Sequence, residues 1–272
     1  MDIGVQTFTI RKEQKKNIER AYLPLIELGI KSFEVARIDF NKKNAEELKR
    51  LVDKYGIEIK AIQVKPKYVY GAFDEIVDFC KIVGCKRVVI SMIPFSVILG
   101  KEDKFYSFIN TLDAQYERYH EKGITLALHH HNWEYVRLKN GKTRMDELLA
   151  GTEKIRIVHD TYWTARSGID PALEIKRFSK RLLGIHLRDL THEAKGIDVI
   201  PKNCPIGDGV IDFERVLCAQ DEVGAEYLVI EEKTETPYES VKKSYSKCLD
   251  IQKKIKTGST ANIPSALANT KE

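Results

Sequence analysis

Paired cysteines are missing from this 272-residue chain: its five cysteines, Cys80, Cys85, Cys204, Cys218 and Cys248, are odd in number and form no Cys-x-x-Cys motif. That argues against a disulfide framework and against a cysteine zinc site. Cys80, Cys218 and Cys248 stand at apolar helix positions, where cysteine serves as a small core residue, and the expected compartment is the reducing cytoplasm. Long apolar runs are also missing. No stretch approaches the roughly 20 residues that cross a bilayer, and the N-terminus enters Ile3-Gly4-Val5-Gln6-Thr7-Phe8 without the pattern of a signal peptide. An excess of one charge is missing as well. Lys plus Arg is 45 and Asp plus Glu is 40, a formal charge of +5. The bias is faint, and no patch concentrates it as a nucleic-acid or membrane-surface binder would. The lysine-rich runs at 12–16 and 253–256 read as solvated helix faces, so neither nucleic acid nor membrane is expected as a partner.

What is present is one pattern repeated eight times. Short, continuous β-branched runs lie at Ile3–Phe8, Ser32–Val35, Glu58–Val64, Arg87–Ile90, Thr125–His129, Ile155–His159, Leu182–His186 and Tyr227–Ile230. Continuous rather than alternating apolar character suits strands buried on both faces, as in parallel sheets. Helical periods separate them. Ala45, Leu48, Leu51, Val52 and Tyr55 share a face ahead of Gly56, and Phe73, Ile76, Val77, Cys80 and Val83 do so ahead of Gly84. Phe105 to Tyr119 gives the longest helix, ending before Gly123, and the last opens at Thr236-Pro237. Shorter helices are expected after the fifth, sixth and seventh strands. About 32 residues per strand–helix unit is the size of a single-domain (β/α)₈ TIM barrel over 1–256, with 257–272 a C-terminal tail. A doubly wound sheet is the alternative, but no Gly-x-Gly-x-x-Gly follows any strand.

Active sites of this fold sit at the C-terminal ends of the strands. Four successive strands end in chemistry-bearing residues: His129-His130-His131-Asn132-Trp133-Glu134, His159-Asp160-Thr161-Tyr162-Trp163, His186-Leu187-Arg188-Asp189 and Glu231-Glu232. Each has a bland reading alone. Asp160 could cap the next helix, His186 could be a satisfied core histidine, and Glu231 and Glu232 could be a solvated strand end. Strand alternation sends His130 to the face opposite His129 and His131. Together they point to a divalent cation, because strands buried on both faces do not end in uncompensated carboxylates. Two Glu, one Asp and one His make an oxygen-rich site favouring Mn²⁺, Mg²⁺ or Co²⁺, with Mn²⁺ placed first.

These stretches, with Gly4-Val5-Gln6 and Arg11, with Ile206-Gly207-Asp208-Gly209 before Asp212-Phe213, and with Val229-Ile230-Glu231, resemble the xylose-isomerase-like barrels grouped as sugar phosphate isomerases/epimerases, whose members include ketose 3-epimerases and inosose dehydratases. The resemblance covers roughly residues 1 to 250. It implies a metal held by Glu134, Asp160, His186 and Glu231. Many relatives carry the first of these inside the fifth strand, where this chain has His129, so His129 and His131 stay open as alternatives to Glu134. Relatives also often have Lys in place of Arg188.

The expected reaction is removal of a proton beside a carbonyl, with the metal stabilising the enediolate and Glu134 and Glu231 as acid and base. His129, His131, Trp163, Arg188 and Glu34 are expected substrate contacts, and Trp133 could stack on a sugar face. The favoured function is a metal-dependent isomerase or epimerase of a small carbohydrate. A lyase, either an inosose-type dehydratase or a β-eliminating deglycosidase, is the alternative. A silent binding barrel and an apurinic-site endonuclease rank below both, the latter because Trp163 stands where a further histidine is needed. A homo-oligomer or a partner subunit completing the site stays open.

Overall fold

The computed structural model describes residues 1–195 and 198–257; the expected tail from 258 onward lies outside the described residues. Eight parallel strands close into a barrel: β1 (Ile3–Gln6), β2 (Ser32–Ala36), β3 (Glu58–Val64), β4 (Arg87–Ile90), β5 (Thr125–His129), β6 (Arg156–Asp160), β7 (Leu182–Leu187) and, after a hairpin of β8 (Asp189–Lys195) and β9 (Asp198–Cys204), β10 (Tyr227–Ile230). The order β1-β10-β7-β6-β5-β4-β3-β2 joins first to last, with Val5 beside both Ile230 and Phe33. The expected eight-stranded TIM barrel is therefore observed. The strand ends differ from the sequence reading by one or two residues: β1 stops at Gln6 and β6 runs on to Asp160.

Ala61, Val89, Ala127, Val158, Leu183, Tyr227 and Val229 fill the barrel, and a larger core lies between the strands and the outer helices. Tyr227 is the plug. A Cβ on Gly184 would lie 2.4 Å from its ring, so only glycine leaves β7 room for it. The helices form where the apolar spacing placed them. Lys42–Tyr55 buries Ala45, Leu48 and Leu51, is capped by Asn41 and closes on Gly56 at φ 62°. Phe73–Val83 closes on Gly84 in the same way, and Pro237–Lys256 starts at the expected proline. Among the described residues no helix is long and apolar enough to cross a membrane.

The hairpin β8–β9 was not foreseen. The helix expected after the seventh strand comes only at Phe213–Val223, because Asp189–Cys204 pair antiparallel first, His192 against Pro201. Its strands carry mixed polar residues rather than an apolar run, and Gly196 alone hints at it in the sequence.

Candidate active site

Strand alternation decides which side chains meet at the mouth. On β5 and β6, Ala127 and Val158 face the barrel interior, so His129 and Asp160 do too, while His130 and His159 face outward beside Phe178. There His130 Nε2 lies 3.1 Å from His159 Nδ1 and accepts the Asp160 N–H. Burial pushes His130 down to about 3, so this outer pair is neutral and supports the strand end rather than the site.

Inside, one ligand-type atom from each of His129, Asp160, His186 and Glu231 lies within 4.8 Å of all the others, and all four side chains are buried. Both imidazoles are oriented from behind. His129 Nδ1 lies 3.3 Å from the Ser91 carbonyl, which leaves Nε2 facing Asp160 Oδ2 at 3.3 Å. His186 Nε2 lies 2.9 Å from Glu34 Oε1, and Tyr227 donates its hydroxyl to Glu34 Oε2 at 2.6 Å. That leaves His186 Nδ1 pointing at Glu231 Oε2 from 2.9 Å, a close contact that lacks hydrogen-bond geometry. Imidazoles held this way, one nitrogen tied to a carbonyl or carboxylate and the other turned inward, are set as metal ligands.

Charge tells the same story. Glu34, Asp160 and Glu231 are three buried carboxylates, and Arg188 puts Nη1 3.0 Å from Asp160 Oδ2 and 3.1 Å from Glu231 Oε1. One guanidinium against three carboxylates leaves two negative charges for a divalent cation once His186 has given up its proton. Burial alone would favour the neutral acids, yet Arg188 with His129 holds Asp160 well below the usual carboxylate range. Arg188 and His186 likewise hold Glu231 down at about 2. Burial also opposes a charge on His186, but Glu34 and Glu231 outweigh it and lift the group to about 10. The donor set and its close grouping fit a divalent ion.

The sequence-expected residues are thus brought together, with one exchange. Glu134 lies past the strand end, on the turn Asn132–Tyr135, and is not in the cluster; the β5 member is His129. Glu134 Oε2 accepts the His131 N–H at 2.8 Å while Oε1 has no partner, and burial pushes the carboxyl up to about 7. His131 Nδ1 and Trp163 Nε1 are also buried without partners, their rings 5.0 Å apart. The His131 ring sits next to the cluster, 4.8 Å from that of His129. The Arg188 guanidinium lies over Trp163 at 5.6 Å and over Tyr162 at 4.8 Å, while Trp133 is 37% exposed. Asp160 also caps the next helix through the Trp163 N–H at 3.1 Å, as its helix-cap reading expected. Glu232 is no solvated strand end. It is buried and takes the Ser240 and Ser244 hydroxyls.

Asp189 is the residue whose role the sequence hid. Its carboxylate accepts four backbone N–H groups, from Leu190 at 2.7 Å, Gly207 at 2.9 Å, Gly209 at 3.0 Å and Ile211 at 3.2 Å. Side chains at Gly209 are excluded, since a Cβ would lie 2.2 Å from Asp189 Oδ1. The two motifs His-Leu-Arg-Asp and Ile-Gly-Asp-Gly are therefore halves of one structure.

The fold and site together define a closed parallel barrel whose C-terminal mouth carries a buried His₂–carboxylate₂ cluster that fits a divalent ion. The chain belongs to the xylose isomerase-like TIM barrel family, whose profile matches residues 24–251. It is 25% identical to an inosose dehydratase of Lacticaseibacillus casei over 224 residues, 71% of either chain. Its fold is similar to a sugar phosphate isomerase/epimerase of Parabacteroides distasonis, with a TM-score of 0.74 at 19% identity, covering 90% of this chain and 92% of that one. It is also similar to a xylose isomerase-like barrel of Mycobacterium smegmatis determined in complex with magnesium, with a TM-score of 0.63 at 12% identity, covering 84% and 86%.

Proposed function

We propose that this protein is a divalent-metal-dependent enzyme that moves a proton next to a carbonyl of a small sugar or sugar derivative, acting as an isomerase or epimerase. The observation that carries the reading is the buried group His129, Asp160, His186 and Glu231, whose ligand-type atoms all lie within 4.8 Å of one another. These four residues would hold the ion. Two imidazoles with two carboxylates favour Mn²⁺, Co²⁺ or Zn²⁺ over Mg²⁺, with Mn²⁺ the first choice. When bound, the metal supplies a Lewis acid that makes the neighbouring C–H acidic.

The chain's own groups do the rest. Glu134, at about 7, is half protonated near neutral pH and can take a proton or give one back through its unpartnered Oε1. Glu231, held at about 2, stays anionic and is the second carboxylate of the pair. Arg188 fixes Asp160 and Glu231 from one side and offers hydrogen bonds to a substrate hydroxyl or carboxylate. His131 and Trp163 offer their free nitrogens to sugar hydroxyls, and the Trp163 ring excludes water from one flank.

The lyase reading has its own support. Glu134 and Glu231 are unequal, one near 7 and one near 2, and a single proton carrier is what loss of a β-hydroxyl needs. The similarity to an inosose dehydratase leans the same way. The test is turnover of a panel of ketoses, inososes and keto-glycosides by metal-stripped protein with Mn²⁺ restored. Isomeric product with deuterium taken up from D₂O supports the first reading, and loss of water or of an aglycone the second. No metal-dependent turnover on any of them would overturn both.

A further inference from the structure

On the other side of the mouth from β6 and β7 lies a cavity of about 780 Å³, within the range that takes a small ligand. Its wall carries five cations against three carboxylates. Two of the carboxylates, Glu47 and Glu75, stand on outer helices, Lys42–Tyr55 and Phe73–Val83. Two of the cations, Arg37 and Lys65, are the first residues beyond the C-terminal ends of β2 and β3. Lys65 continues β3 in extended geometry, so it shares the inward parity of Ala61 and Gln63. Arg37 would point outward by parity, but its backbone is left-handed at φ 61° and its guanidinium lies 5.3 Å from the Phe8 ring centroid, at the end of β1. An arginine held in that conformation costs on the order of 1 kcal/mol, and such strain is retained mostly at functional sites.

The surroundings leave these cations free. On the outer helix Lys42–Tyr55, away from the cavity wall, Lys49 pairs with Asp53 and Lys54 with Glu19 at 3.0 Å, whereas the cavity lysines Lys15, Lys16 and Lys43 have no ion pair among the described residues. Among the described residues neither Arg37 nor Lys65 has an ion pair or a side-chain hydrogen bond. Between them and the cluster stands Gln63, whose amide Nε2 is buried without a partner while Oε1 takes the Gln6 amide. Ser91 closes the path, lining the cavity and giving its carbonyl to His129.

We propose that Arg37, Lys65 and the Gln63 amide form a subsite for an anionic end of the substrate, a phosphate or a carboxylate, carried by a molecule whose reacting carbons reach the His129–Glu231 cluster. The inference rests on the reading of that cluster as the place of reaction. It narrows the substrate from any small carbohydrate to a sugar acid or sugar phosphate. Two cations and a neutral donor on one cavity wall are suited to that chemistry, and a neutral sugar would leave them unused.

The experiment is calorimetric titration at low ionic strength with inorganic phosphate and with gluconate, on Mn²⁺-loaded and on chelator-treated protein. Saturable binding of at least one anion is expected in both forms, and the tighter of the two identifies the group. Arg37→Met and Lys65→Met are each expected to weaken it about tenfold, the loss of one charge-assisted hydrogen bond. Both sites are exposed, so the fold is retained, and Lys253→Met on the last helix is the charge control. Absence of binding by either anion, or equal weakening by the control, overturns the proposal. If Mn²⁺ binds to wild type and both variants while no anion does, the subsite falls and the reaction class stands with a neutral substrate. If the anion binds through Arg37 and Lys65 but Mn²⁺ does not bind, the subsite stands and the metal reading falls.

Discussion

Glu134 makes the sharpest test, because its burial ties catalysis to a measurable dependence of stability on pH. The unfolded chain releases this proton near 4.5, whereas in the folded protein burial raises the carboxyl to about 7. Between those values the unfolded state has lost a proton that the folded state keeps. Stability is therefore highest below about 4.5, falls as pH rises through the window, and levels off above it. The gap from about 4.5 to about 7, at about 1.4 kcal/mol per pH unit, sets the loss at up to about 3–4 kcal/mol. Glu134→Gln removes the charge but keeps an oxygen for the His131 N–H, so the variant should lack this slope. Urea unfolding of both proteins at about pH 5 and about pH 8 reads the difference. Near equality is expected at the lower pH, with the variant ahead by up to about 3 kcal/mol at the higher. The same variant should lose at least about a hundredfold in kcat, since an amide cannot carry the proton. Parallel stability profiles for the two proteins would refute the buried, half-protonated carboxyl.

Other outcomes follow from the same geometry. Elemental analysis of the purified protein should find about one divalent ion per chain, and Asp160→Asn and His186→Ala should each lose it together with the metal-dependent rise in Tm. Because His186 is lifted to about 10 and must be neutral to act as a ligand, metal binding near neutral pH should release about one proton, seen as a dependence of the binding enthalpy on the buffer. Gly184→Ala pushes a methyl into the Tyr227 ring and should destabilise by about 1–3 kcal/mol in chemical denaturation. Asp189→Ala strips four backbone N–H groups of their acceptor, and hydrogen exchange of Gly207, Gly209 and Ile211 should rise strongly while the barrel strands stay protected.

How much the sequence disclosed depended on whether a signal was local. The eight apolar runs and the Gly56 and Gly84 stops are local, and the barrel follows from them. Asp160, His186 and Glu231 were legible because each stands within one residue of a strand's C-terminal end, and such a residue lands at the mouth whatever the neighbouring strands do. His129 and Glu134 were harder to place. Choosing between them needed the parity of Ala127 and the place where β5 gives way to a turn, and neither is fixed by residue type. Asp189 left no signal as a loop anchor, because its partners are backbone amides some twenty residues away and any sequence can supply amides. The same holds for Gln63 and Arg37, whose meaning comes from a neighbouring strand and a single backbone angle.

The Asp189 carboxylate has one more consequence. Its oxygens clamp the start of β8 to the segment just beyond β9, so the chain enters and leaves the hairpin at nearly one point, with Asp189 paired to Cys204. A segment closed off at its base is mechanically separate from the barrel that carries it. Lengthening, trimming or exchanging the residues between Thr191 and Lys202 leaves the knot at Asp189 and the strands beneath it untouched. The rim near Tyr162, whose hydroxyl donates to the Pro201 carbonyl at 3.4 Å, would change with them. Here the fold keeps a replaceable part beside a fixed one, and a lineage could reshape the rim through the hairpin alone without reworking the buried cluster below.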